Sequence, residues 1–269
     1  MVDLTQGEVT GSPHGSPHPI TSAEAISIRV NRRMAELAGS RYFRLCRSGE
    51  FTRGQLLRVV EQLYCFSVLF ERILTRRLSA LSSRSPEALV RLARQHLQEE
   101  IGHCELFRRA LLENGLSPED IRQLAPTAHT KALFGYLLAT VEYEHELVTN
   151  VAIMQVMELI GLHFFELSLG AMERHGLDTS AVEAHAEDDR AHCCQGLELC
   201  NAMDERLLAD AARIIDDLFR LMAFVLDDWS GPAEPRDDAT DLPPARSQWS
   251  RAQAASCPPA SFSSPMGCT

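Results

Sequence analysis

The chain carries a single lysine, Lys131, so arginine supplies nearly all of its positive charge. Those arginines are scattered and the formal net charge is −11. A nucleic-acid partner needs a concentrated basic face, so none is expected. Arginine clusters such as 29–33 and 72–77 read as solvated helix faces. Strand signals are lacking, as are a Gly-rich phosphate loop and a Gly-x-Ser-x-Gly elbow. Nucleotide binding and serine hydrolase chemistry therefore have no support. The eight cysteines show no Cys-x2-Cys pairing, so structural zinc is not indicated. No charged start followed by an apolar run opens the chain, and reduced thiols in a cytoplasmic protein are expected. The one long apolar stretch, 147–165, is interrupted by Asn150, Gln155, Glu158 and His163. It reads as a buried helix, and no membrane partner is expected.

What is abundant is helix punctuation. Thr21-x-x-Glu24, Thr52-x-x-Gln55 and Ser180-x-x-Glu183 have the form of capping boxes. Ser85-Pro86 and Ser117-Pro118 place a capping serine before a first-turn proline, and Gly115 and Gly176 stand where a left-handed stop belongs. Between these marks the apolar residues follow a 3.6-residue period. The expected fold class is all-α, with seven helices near 22–38, 53–81, 86–113, 118–124, 128–174 (bent or broken), 181–201 and 204–229. Residues 1–21 repeat Gly-Ser-Pro-His, and 230–269 are crowded with Pro, Ser, Ala and Asp. Such segments bury too little apolar surface to offset their ordering entropy. Two disordered tails around one helical domain at 22–229 are expected.

The chemistry-bearing pattern lies on these helices. His185-x3-Asp189-x2-His192 puts two imidazoles and a carboxylate within about 60° of one another on a helical face. Glu100-x2-His103 is a second such stripe. Carboxylate-x-x-His on paired helices, completed by a lone carboxylate from each of two others, is the ligand logic of di-iron carboxylate proteins. The lone carboxylates here are Glu71 and Glu158. The interval from Glu71 to Glu100 nearly equals that from Glu158 to Asp189, as in an approximate duplication. Glu158 carries the strongest single signal. It sits alone among apolar neighbours, and an unpaired buried carboxylate is costly.

The expected grouping gives one metal Glu71, Glu100 and His103, and the other Glu158, Asp189 and His192, with His185 able to reach either. Glu99 competes with Glu100, and Glu61 with Glu71. Glu142-x2-His145 has the same spacing but lies in a polar run that reads as solvated or as a substrate entrance. His96, His163 and His175 read as packing or surface histidines. Tyr64, Tyr136 and Tyr143 could border a pocket. Three imidazoles and four carboxylates without a thiolate suit iron or manganese, and the expected cofactor is a dinuclear iron centre.

At this point the residues resemble a known family. Glu99-Glu100-Ile101-Gly102-His103-Cys104-Glu105-Leu106-Phe107, Glu158 within Val156–Gly161, and the His185/Asp189/His192 triplet are similar to motifs of the haem-oxygenase-like di-iron oxidases. The resemblance covers about residues 25–228. It implies a seven-helix haem-oxygenase-like bundle, where the spacings alone would also allow a ferritin-like four-helix bundle. It further implies a labile di-iron cofactor that activates O2, with a small-molecule substrate of natural-product biosynthesis. Reactions in such a family include N-oxygenation, desaturation, C–C cleavage and fatty-acid decarboxylation. An external electron donor and a homodimer are compatible with this reading. Haem oxygenase itself is disfavoured, because the first long helix has no histidine. Thiaminase-like relatives of the fold use a cysteine without metal, and Cys193 and Cys194 are the residues that keep that reading open. Members that consume their own Tyr or Lys are a poor match, since Met157 precedes Glu158 and Lys131 stands alone.

For substrate, the expected pocket lies between the metal-bearing helices and 126–150. A small amino-acid-like or amine substrate is preferred, with Lys131 as a candidate carboxylate clamp. The alternative is a fatty acid along Leu133, Phe134, Leu137, Leu138, Phe164 and Phe165. A third class, ferritin-like iron storage, would need a cage.

Overall fold

Two of the expected capping boxes start the helices they should. The Thr21 hydroxyl accepts from Glu24 N and the Glu24 carboxylate accepts from Thr21 N, and Thr52 and Gln55 repeat the arrangement. The computed structural model describes residues 20–192 and 195–231, apart from the side chains of 187–191. Among the described residues there are ten α-helices, a 3₁₀ helix and no strand. The helices are α1 (Ser22–Leu37), α2 (Arg41–Ser48), α3 (Arg53–Ala80), α4 (Glu87–Glu100), α5 (His103–Glu113), α6 (Pro118–Gln123), α7 (Ala128–Tyr143), α8 (Glu146–Arg174), α9 (Ser180–His192) and α10 (Glu205–Trp229). The 3₁₀ helix is Leu197–Ala202. The tails at 1–21 and 230–269 lie almost wholly outside the described residues.

Ten helices replace seven for local reasons. The eight residues of α2 bury Tyr42, Phe43 and Cys46, too short a pattern for a period to register. The expected helix over 86–113 breaks at Ile101–Gly102, where Gly102 takes φ 95°, a left-handed value that glycine adopts without a Cβ clash. The stretch 128–174 breaks at Glu144 and His145, both extended, and the His145 ring accepts from Leu147 N to start α8. The last expected capping box is not made. Asp178 accepts from Ser180 N, while the Thr179 hydroxyl donates to Glu183. Ser85 does not cap α4 either; its hydroxyl donates to Glu146 at 2.5 Å.

The centre of the molecule is α8, long and apolar enough to cross a membrane but buried along most of its length. Helices α9, α10, α2 and α3 pack around it, and α3 in turn holds α4, α5 and α7. Several buried polar groups around α8 pair with one another. The Tyr42 hydroxyl lies 2.5 Å from Ser168 Oγ, and the Trp229 indole donates to Thr130 Oγ1 at 3.0 Å. Two arginine clusters that read as solvated faces are in part structural. Arg29 and Arg33 on α1 both donate to Asp216 on α10, at 2.7 and 2.8 Å. Arg77 is fully buried on α3.

Candidate metal centre

The break between α4 and α5 turns two donors toward each other. Glu100 is the last residue of α4 and His103 the first of α5, so they do not share one helical face as the spacing suggested. The left-handed Gly102 between them brings Glu100 Oε2 to 2.9 Å from His103 Nδ1. Glu71, half-buried on α3, braces the break by accepting from Gly102 N at 2.9 Å. From α9 the His185 ring packs on His103 with centroids 4.2 Å apart, between Phe107 and Phe165. Glu100, His103 and His185 present donor atoms within 4.8 Å of one another, a spacing that could hold one metal ion.

A second group forms against α8. Glu158 is buried, with Oε2 at 3.1 Å from His192 Nδ1 and Oε1 at 2.7 Å from His96 Nε2. His192 Nε2 lies 3.1 Å from Glu99 Oε2. Glu100 belongs to this group too, because His96, Glu100 and Glu158 also offer donors within 4.8 Å of one another. Thus Glu100, His103, Glu158, His185 and His192 converge on one buried place, with Glu100 common to both groups. Glu99, the competitor of Glu100, reaches the same centre by way of His192. Glu71 faces the helix break and is in neither group. The Asp189 side chain lies outside the described residues, as do Cys193 and Cys194.

Two residues at the centre escaped the sequence reading. His96 is a fully buried partner of Glu158, although it sits four residues before Glu100 and therefore on the same face. Arg77 donates from Nη2 to His96 Nδ1 at 2.8 Å. Glu142 instead pairs with Arg76, and with His145 it lines a separate polar cavity of about 520 Å³ near the surface.

The electrostatics fit a cation. Burial alone would raise the Glu158 pKa, but hydrogen bonds from His192 and His96 hold it below the usual carboxylate range. The hydrogen bond to Glu158 raises the pKa of His192 against the effect of burial. Burial lowers Arg77 to about 10, opposed by the charges of Glu158 and Glu100. His192 is held between two carboxylates, and a neutral ring has an N–H for only one of them. Glu99 Oε2 is accordingly buried without an aligned donor. A second proton or a metal ion would relieve that contact. His185 Nδ1 donates to Ala181 O at 2.8 Å, so in a neutral ring the lone pair is on Nε2, the nitrogen a metal would take.

The donors open on an apolar cavity of about 80 Å³. Leu63, Phe66 and Phe70 of α3 line it, with Phe107 of α5, Met157, Ile160, Phe164 and Phe165 of α8, and Met222, Leu226 and Trp229 of α10. Glu100, Glu158 and His185 form its polar end. It is therefore not bounded by 126–150, whose apolar side chains Leu133, Phe134 and Leu137 are spent on the core. Lys131 is exposed, and none of the three tyrosines lines the cavity. Nor does a described cysteine. Burial pushes the thiols of Cys46, Cys65 and Cys200 up to about 11, away from thiolate chemistry.

The family model described as "iron-containing redox enzyme" matches residues 57–224, a span that holds the described donors. The chain belongs to that family. This iron-containing redox enzyme is also similar in structure to several solved proteins. One is a TenA homolog from Pseudomonas syringae pv. tomato str. DC3000, with a TM-score of 0.65, 14% identity, and coverage of 84% of this chain and 99% of that one. Another is a domain of unknown function with a heme oxygenase-like fold from Shewanella denitrificans OS217, with a TM-score of 0.66 and 16% identity over 79% of this chain and 93% of that one. A TenA homologue from P. horikoshii OT3 has a TM-score of 0.61 and 13% identity over 79% and 100% of the two chains. At such identities the likeness concerns the fold, which is the haem-oxygenase-like all-helical one and not the ferritin-like alternative. No curated protein matches the chain.

Proposed function

We propose that this redox enzyme holds two iron ions and uses O2 to oxidise a small substrate with an apolar body. The observation that carries the reading is a pair of donor groups sharing Glu100 at the polar end of an apolar cavity. Glu100, His103 and His185 would hold one ion. Glu158 and His192 would hold the other, with Asp189 on the same helix and Glu71 at the edge as further carboxylates. Manganese would suit the same donors. Bound iron supplies the capacity to reduce O2. An external electron donor provides any electrons the substrate does not.

The chain's own part is to position and to exclude. Phe107 and Phe165 fix the His185 ring, and Ala181 O sets its tautomer. Phe66, Phe70, Phe164 and Trp229 keep water from the reacting end of the substrate. Beyond Ser67, Glu100, Glu158 and His185 the lining is apolar and holds no lysine or arginine, so a substrate carboxylate would be met by the bound metal ions and the rest of the substrate by hydrocarbon. The apolar wall favours the fatty-acid-like alternative over the amino-acid-like one: an alkyl chain would lie along the aromatic side chains, with its carboxylate at the metal ions held near Glu100 and Glu158. Iron storage belongs with the ferritin-like bundle and has no use for such a cavity.

The test is to load the protein with ferrous iron, expose it to O2 and follow visible absorption while screening fatty acids and amino acids. Binding of two irons per chain is expected, with absorption changes accelerated by medium-chain fatty acids and lost in Glu158→Ala and His192→Ala. Acceleration by amino acids alone would overturn the substrate assignment. An iron-dependent large multimer that consumes iron without substrate would overturn the enzymatic reading.

A further inference from the structure

His96, Glu100 and Glu158 have the spacing of a metal site, yet the hydrogen-bond chemistry around His96 argues against its being a ligand. Its Nδ1 lies 2.8 Å from Arg77 Nη2. A guanidinium has five N–H donors and no acceptor, so Nδ1 must be the accepting nitrogen. A neutral imidazole carries one proton, which then sits on Nε2. That nitrogen is 2.7 Å from Glu158 Oε1, a close though bent approach, and a carboxylate welcomes the proton. His185 provides the internal contrast. A backbone carbonyl accepts from its Nδ1, which leaves the lone pair on Nε2, as a metal ligand requires. Two buried histidines of one centre are thus held in opposite tautomers by opposite kinds of partner.

We infer that Arg77 and His96 are positioning residues for Glu158. Arg77 fixes His96 as the Nε2–H tautomer, and that N–H lies against Glu158 Oε1, which would leave Oε2, beside His192, to be offered to a metal. The placement of Arg77 supports this. It is 1% exposed on α3, with Nε and Nη1 lacking partners. Leaving a guanidinium buried with two unsatisfied nitrogens is costly, and nearby Glu158 and Glu100 are the charges that offset it. Core packing alone would be served by an apolar residue. The metal part of this inference rests on the proposed function; the tautomer part does not.

The experiment has two arms. In metal-free, ¹⁵N-histidine-labelled full-length protein, two-bond ¹⁵N–¹H correlations report the protonated nitrogen of each ring. His96 is expected to be protonated on Nε2 and His185 on Nδ1, and Arg77→Met, which removes the donor to Nδ1, should weaken the preference at His96 to what Glu158 alone imposes. An Nδ1–H tautomer at His96 in the unsubstituted protein overturns the inference without needing any variant to fold. The second arm titrates ferrous iron. His96→Gln keeps an amide donor for Glu158 and should retain the stoichiometry with affinity within a few-fold. His96→Leu should keep the stoichiometry but weaken affinity about 10–100-fold, the usual effect of losing an outer hydrogen-bond partner. If both variants lose one iron, His96 is a ligand and the inference fails. If the unsubstituted protein binds no iron while the tautomers are as expected, the functional reading fails and the Arg77–His96–Glu158 arrangement stands.

Discussion

Gly102 decides whether Glu100 and His103 can face each other, and it does so by backbone conformation alone. A Cβ placed on it would meet nothing within 4 Å, so any cost of substitution is that of holding φ at 95°. Gly102→Ala is expected to cost about 1–2 kcal/mol if the turn is kept. If the turn relaxes instead, the two donors separate. Urea denaturation with an iron titration on the same variant distinguishes these outcomes, and unchanged stability together with unchanged affinity would show that the turn is not needed. At this scale the sequence was legible where donors repeat at helical spacing, as at His185 and His192. It misled about Glu100-x2-His103, where the residue types were informative but the continuous helix was not, because one glycine can end a helix without disturbing the apolar period around it. His96 was hidden for another reason. A lone histidine on an apolar face looks the same whether it fills space or holds a carboxylate, and only its partner Arg77, remote in sequence, separates the two.

Between elements, the clearest electrostatic link joins α1 to α10. Hydrogen bonds from Arg33, then Arg29, lower the Asp216 pKa to about 2, against the effect of its partial burial. A carboxylate lowered in the folded state contributes stability above its unfolded pKa of about 3.9 and loses it as pH falls toward the folded value. Asp216→Asn should therefore destabilise the protein by about 1–2 kcal/mol at pH 7, after discounting for partial exposure. The gap between variant and parent should shrink from about pH 4 downward and close near pH 2. Denaturation midpoints across that range check this, and a pH-independent gap would mean the clamp acts through shape and not charge. Helix starts were legible here because Thr21 with Glu24 and Thr52 with Gln55 are local devices. Whether Arg29 and Arg33 face solvent or α10 was not, since a charged stripe on one helix does not name the helix opposite.

For the whole molecule, all-helical architecture and family were readable from period, caps and donor spacing, but the cavity was not. Its walls come from α3, α5, α8 and α10, whose aromatic residues look like core in any one segment. The donors are spread over a different set of helices, which makes the centre a cross-link. The donors come from α4, α5, α8 and α9, so bound metal would tie together helices otherwise joined by packing and the loops between them. A ligand that binds only the folded chain stabilises it by RT ln(1 + [L]/Kd), about 2.7 kcal/mol at a hundredfold excess over Kd. For a domain of this size that corresponds to a rise in Tm of roughly 5–10 °C. Anaerobic ferrous iron should produce such a rise in the unsubstituted protein and a much smaller one in Glu158→Ala. Amide exchange should slow most in α9, which brings His185 and His192 to the centre and is held there by α8 and α5. An equal rise in both proteins would mean that the stabilising iron binds elsewhere. Slowed exchange confined to other helices would remove α9 from the centre, and with it the assignment of both its histidines.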